Sequence, residues 1–409
     1  MRKTIPLTKV LVLVTFIFGM LLILPNDYKH LVPNGGVILN SCALIFLFLS
    51  YFINFPRIVK FIKKNLLFAL PFFIIILATL LNNGEVPIAL YNIVYLLFFY
   101  FIGAFFGEYK LKFIKIAEII SFIILCINVL VTIFYGQPLS YSATAGRIFF
   151  IFEGSMVKLM ACNILLFFIG KKLKITNFAF LHYVVYALSF YCITFSSTGF
   201  YSLLFMFVFM FFVSKSRKIG NVLKLISFYI VALFVVDILV IFDLLSPILS
   251  DIFNKSITLS GRTEIWGSAI EIIKDHPWIG IGEFSSDYFI ELTGVNGATH
   301  SHNQILQILL NSGLIGFVVY FYYAFKLVNL RKYVKNNLIV AYYLVYLSTI
   351  IIMCVTSLPF DNFFYLSVLI AVNYVGEKKI KNNRCVENEK YSRLERDDEI
   401  SRYYEKAGG

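Results

Sequence analysis

The sequence predicts an all-α fold, a polytopic integral membrane bundle of about 12 transmembrane helices with one large extracytoplasmic loop. Three observations carry that expectation. Hydrophobic residues make up 59% of the 409 residues and charged residues 14%, against roughly 45–50% and about 25% in soluble domains. The apolar runs are continuous and approach the ~20 residues that cross ~30 Å of hydrocarbon, rather than alternating as barrel strands do. One polar stretch, residues 247–303, interrupts the pattern with ordered-looking sequence that lipid would reject.

In chain order, spans read at approximately 8–25, 36–54, 65–82, 86–107, 113–135, 148–170, 178–195, 200–214, 222–244, 304–325, 338–357 and 363–376. The chain is expected to divide into residues 1–244 with helices 1–9, a loop at 245–303, residues 304–376 with helices 10–12, and a charged tail at 377–409. The opening MRKTIPLTKV leads into an apolar run with no small-residue cleavage site behind it, so the first span is expected to remain uncleaved. The six cysteines have neither a disulfide nor a metal-site spacing. Neither an internal repeat nor a matched pair of Gly/Pro-broken helices, the mark of many transporters, stands out.

The net charge of +13 falls in short clusters between apolar runs and in the tail, which is a topology signal rather than one for nucleic acid. With the N-terminus inside, all but six of the 36 Lys and Arg lie on the inner side. The six are Lys29, Arg147, Lys158, Lys255, Arg262 and Lys274. Both termini and the tail are therefore expected in the cytoplasm, and the loop outside the cytoplasmic membrane, the cell's inner membrane.

Basic residues on that outer side ask for a reason. Arg147 reads either as an interfacial anchor or as a guanidinium fork for phosphate. Glu153 and Lys158 lie within a span, where ionisable groups tend to face a cavity. In the loop, Arg262 to Asp275 forms an amphipathic pattern with Ile265, Trp266, Ala269, Ile272 and Ile273 on one face, and Pro277 ends it. Gly280 and Gly282 in DHPWIGIGEF permit a turn and do not make a nucleotide fingerprint. His300, His302 and Asn303 stand at the mouth of the tenth span. A histidine there reads as a cap, a packed polar group or a proton acceptor, and without Cys or an HExxH pattern nearby a metal is not expected.

The run of Arg262 and Trp266, then DHPWIGIGEF, then HNQILQILLNSGLIG at a span start resembles the signature half of the O-antigen ligase and polymerase superfamily, over about residues 196–317. The resemblance implies a metal-independent, inverting glycosyltransferase of the multi-span type with no cofactor, working on sugar chains carried by undecaprenyl pyrophosphate. It implies His302 and Arg262 as catalytic residues, His302 activating the acceptor hydroxyl or helping to position it and Arg262 binding pyrophosphate. Arg147, Lys158, Glu153, Trp266, His300 and Asn303 are the expected substrate-binding residues. One departure stands out: Ser197, Thr198 and Gly199 occupy a place where the family commonly carries Ser-Arg-Gly, so Lys158 or Arg147 is expected to supply the missing cation. The leading expectation is a surface polysaccharide polymerase of the O-antigen or capsule type, with a ligase for finished glycan as the alternative and a lipid-linked oligosaccharide flippase or transporter as a rival of another class. Expected partners are lipid-linked oligosaccharides, membrane lipids, and a chain-length regulator and flippase of the same pathway, with no nucleic acid.

Overall fold

The computed structural model describes residues 7–23, 35–82, 84–135, 153–192, 197–215, 262–296, 298, 300–328, 338–354 and 364–370, together with residues 221, 224, 227, 228 and 231. All regular structure among them is helical. Helix α1 covers Leu7–Leu22, α2 Gly35–Ile53, α3 Phe55–Lys64, α4 Leu70–Leu81 after a short 3-10 turn, and α5 Val86–Tyr135. These are followed by α6 Glu153–Leu173, α7 Ala179–Cys192, α8 Ser197–Lys215, α9 Arg262–Asp275, α10 Ser286–Thr293, α11 Gln304–Val328 and α12 Leu338–Met353.

By length and composition, two described stretches reach a membrane crossing, Ala89–Phe134 and Gln304–Tyr322. A third follows if the bent pair α2 and α3 counts as one span. Five further apolar helices are 10–17 residues long. The expected twelve thus become, among the described residues, two or three full-length spans and several shorter apolar helices. The expected span at 222–244 lies almost wholly outside the described residues.

The α2–α3 pair bends by 92°. Asn54 sits at the break and Pro56 in the first turn of α3, where proline's missing N–H costs nothing. Helix α3 buries Ile58 and exposes Arg57, Lys60, Lys63 and Lys64, the pattern of a basic amphipathic helix that lies along an interface. Arg57 fastens it to α5, donating to Ala104 O at 3.0 Å and to Glu108 Oε2 at 2.9 Å.

Helix α5 corrects one expectation. The sequence reads as spans at 86–107 and 113–135 with a basic turn between them, whereas the structure has a single helix of 50 residues. The intervening GEYKLKFIK contains no proline, and Glu, Lys and Leu are good helix formers, so local propensity carries the helix through Gly107. At 1.5 Å per residue it is roughly 75 Å long, well beyond one crossing. Merging the two spans also removes one turn from the alternation behind the expected outer placement of the loop.

The core lies where α5 meets α1, α6 and α7. Phe98, Phe99, Phe101, Phe105, Phe106 and Phe113 of α5 are all buried, and Phe113 stacks on Phe16 of α1 at 4.2 Å between ring centroids. Helix α6 is buried on every face from Met156 to Ile169 except at Lys158, and α12 is almost as fully enclosed. A helix apolar all round belongs inside a bundle. Polar stitches hold it: Asn163 of α6 donates to Glu118 O at 3.0 Å and to Ser121 Oγ at 2.7 Å, and accepts from Tyr186 of α7 at 2.6 Å.

Candidate functional site

A second, smaller core stands apart from the bundle. Ile265, Trp266 and Ala269 of α9 pack with Ile281, Phe289, Ala298, Leu306 and Leu310. The apolar face of α9 therefore rests on α10, on the chain that follows it and on the first turns of α11. Helix α10 begins at Ser285, whose side chain accepts from Tyr288 N, and ends at Gly294 in a left-handed cap.

This small core presents the segment 300–304. The Trp266 indole donates to Ser301 O at 2.8 Å. Ser301 N donates to Gln307 Oε1 at 3.1 Å. Asn303 Oδ1 accepts from Ile305 N at 2.9 Å and Leu306 N at 3.1 Å, which caps α11. Gln304 N donates to Cys354 O, just past the end of α12, at 3.0 Å. Ser301 and Asn303 are fully buried. Between them His302 takes φ 52°, a left-handed conformation that a residue with a Cβ adopts at a cost.

Held this way, His300 and His302 sit side by side with ring centroids 4.0 Å apart. Burial lowers the pKa of His300 to about 3, with the neighbouring His302, Lys158 and Arg262 adding to the effect. Burial also lowers that of His302 to about 4, with Arg262 contributing. Both imidazoles are thus neutral at pH 7, with the positive charge of Arg262 and Lys158 close by. Neutral imidazoles accept protons, and a local concentration of positive charge attracts an anion.

The WIGIGEF segment forms the far wall. Asn82 Nδ2 at the end of α4 donates to Gly280 O at 3.0 Å, Glu283 N donates to Thr79 Oγ1 at 2.8 Å, and Ile281 N donates to Leu310 O at 2.6 Å. Helix α11 is kinked at Gly313, with φ 59°, which frees its backbone for these bonds. Leu314 N and Ile315 N in turn donate to Pro277 O and Trp278 O at 2.8 and 3.1 Å. Gly280 and Gly282 have φ 69° and 84°, and a Cβ on either would meet the backbone of Leu310 or Thr79. The pair is more than a turn; it lets three backbones touch.

Glu283 lies in that wall and escaped sequence reasoning, because a single Glu after Gly has no pattern. Asn92 Nδ2 of α5 donates to its Oε1 at 3.1 Å. Burial raises its carboxyl pKa, while hydrogen bonds from Asn92 and Asn311 pull it back down.

Of the expected site residues, Arg262, Trp266, His300, His302 and Asn303 come together around one loop, and the charge of Lys158 on α6 reaches His300 although the two lie far apart in the chain. Trp266 is 2% exposed and Asn303 fully buried, their polar atoms engaged with Ser301 and the start of α11. Glu153 is the first residue of α6 and its side chain lies outside the described residues, as does Arg147 altogether. Ser197, Thr198 and Gly199 open α8.

Residues 182–321 match a family model described as O-Antigen ligase. That stretch overlaps the one whose motifs resemble the O-antigen ligase and polymerase superfamily. The matched segment runs from α7 to α11 and contains Arg262, Trp266, Glu283, His300 and His302, while Lys158 comes from outside it. It spans about a third of the chain. No curated protein matches the chain.

Proposed function

We propose that the protein is a surface polysaccharide polymerase of the O-antigen or capsule type, seated in the cytoplasmic membrane. It transfers a glycan from undecaprenyl pyrophosphate to the sugar hydroxyl of a lipid-linked repeat unit, on the outer face, without metal and with inversion. The observation that carries this reading is the His300–His302 pair, 4.0 Å between rings, under the charge of Arg262 and Lys158.

In this reading His302 takes the proton of the acceptor hydroxyl as its oxygen attacks the anomeric carbon. The bond from that carbon to the pyrophosphate oxygen breaks, and the electron pair leaves with the pyrophosphate. Arg262, Lys158 and Arg147 stabilise the departing negative charge, as preset cations do at low dielectric. An imidazole of pKa about 4 is a weak base at neutral pH. The anionic donor offsets the Arg262 field and raises that value, so base strength arrives with the substrate. Trp266 and Asn303 hold the loop, and His300 borders the substrate.

Purified protein in nanodiscs, given repeat units on lipid pyrophosphate and neither nucleotide nor metal, is expected to build a ladder of longer glycans. Unchanged repeat units would sink the polymerase reading. The description of the matched family favours one second reading, a ligase that moves finished glycan to another acceptor. Transfer of preformed polymer to an added acceptor, with no ladder from single units, would favour it.

A further inference from the structure

Hydrogen bonds lead from the histidine loop through Gln307 to Asn311, which stands beside Glu283, and their direction is fixed by chemistry. Ser301 N–H, on the residue between His300 and His302, can only donate, and it donates to Gln307 Oε1 at 3.1 Å. That sets which end of the Gln307 amide faces Asn311, so Gln307 Nε2 donates to Asn311 Oδ1 at 2.7 Å. Asn311 stands beside the Glu283 carboxyl and lowers its pKa, the effect of an N–H₂ turned toward the carboxylate. From the other side Asn92 Nδ2 donates to Glu283 Oε1 at 3.1 Å. Three donors in succession point one way and a fourth meets them, so the chain needs an acceptor where they converge. A carboxylate is the side chain that offers acceptors alone.

Geometry favours a relay that matters to the loop. Gln307 and Asn311 are one turn apart on α11, so the relay runs along the helix before the kink at Gly313. The backbone of Glu283 is itself clamped, its N–H on Thr79 Oγ1 at 2.8 Å and its carbonyl accepting from Glu85 N at 3.1 Å. The relay thus ties the left-handed His302 segment to α4, α5 and the WIGIGEF wall. Ser301 Oγ, 2.8 Å from Asn303 O and 3.0 Å from Gln307 Oε1, closes the near end.

We propose that Glu283 is a positioning residue for glycan transfer, which holds the His300–His302 loop through Asn311 and Gln307 without touching the reacting atoms. This rests on the reading of the loop as the transfer site.

The test compares wild type with Glu283→Gln, Asn311→Asp, the double swap of both, and Gln307→Met in the nanodisc assay, with kcat, KM and Tm measured for each. In Glu283→Gln the Asn311 N–H₂ meets an amide that cannot accept at every position, and in Asn311→Asp two carboxylates face one another. Each single variant is expected to lose about tenfold to a hundredfold in kcat with KM within about threefold, the scale of a lost buried hydrogen bond to a charged group. The double swap moves the carboxylate to position 311, where it accepts from Gln307 and from the amide introduced at position 283, and is expected to recover kcat to within about threefold of wild type. Gln307→Met cuts the loop away from the WIGIGEF wall and is expected to lose kcat as the single variants do. Wild-type kcat in Glu283→Gln or in Gln307→Met overturns the proposal, as does a swap that recovers Tm but not kcat. If wild type itself transfers no glycan, the functional reading fails instead, and the two failures are distinct.

Discussion

The indole N–H of Trp266 and the carbonyl of Ser301 meet at 2.8 Å, and that contact joins a helix to the loop between two histidines. Trp266 is 2% exposed, so the bond is sheltered from water. Trp266→Phe keeps most of the packing and strands the carbonyl, an expected loss of about 1–3 kcal/mol. Trp266→Ala adds a cavity and is expected to lose about 3–5 kcal/mol. Thermal unfolding in detergent measures both, and equal Tm values for Phe and Trp would show the hydrogen bond to be idle.

Glycine substitutions should divide by sign. At Gly280, Gly282 and Gly313 a Cβ meets backbone and φ is positive, so alanine is expected to cost well over about 1 kcal/mol at each. At Gly267, within α9, a Cβ meets nothing within 4 Å. Gly267→Ala is therefore expected to stabilise, by up to about 1 kcal/mol. A lowered Tm for Gly267→Ala would mean that this face of α9 is covered.

Stability should rise with pH through the weakly acidic range. The folded pKa values of His300 and His302, about 3 and 4, lie below the ordinary 6.5. Between those values the unfolded chain binds more protons than the folded one, so this contribution is complete above pH 6.5 and is lost as pH falls toward 4. Tm measured from about pH 7.5 to about pH 4.5 should fall less steeply in His300→Gln/His302→Gln than in wild type. Added inorganic pyrophosphate should flatten the wild-type slope as well, by raising both values. Parallel slopes in wild type and variant would refute this.

Activity should separate the two implied catalytic side chains. Removing a general base costs about 10²–10⁴ in rate, so His302→Ala is expected to lose kcat on that scale. Arg262→Lys keeps a charge but not the fork that matches phosphate oxygens, and it is expected to fall between wild type and Arg262→Ala. Glycan ladders over time give the rates, and an Arg262→Ala ladder of normal length would remove the arginine from the site.

Legibility followed sequence distance. The period of Ile265, Trp266 and Ala269 marks α9, and these are the residues its buried face contains. The two histidines were legible as neighbours because a single residue separates them. Lys158 and His300 were not, since no local rule pairs a residue of α6 with a loop so far along the chain. Glu283 stayed silent for the same reason: its partners Asn92 and Asn311 come from α5 and α11. Helix α5 was misdivided because its basic midsection resembles a turn by charge while remaining helical by propensity.

By itself the sequence determined the helical, membrane-compatible character of the chain, the stretch that resembles the matched family, and the Arg262 and His302 motifs, because these depend on composition and on spacings within one helix or loop. Tertiary structure alone decided that Gly280 and Gly282 serve backbone contact, that Trp266 and Asn303 hold the loop, and that Glu283 meets Asn92 and Thr79. The physical reason is that each of these rests on a hydrogen bond or a close approach between segments far apart in the chain, and such contacts exist only once the helices have packed.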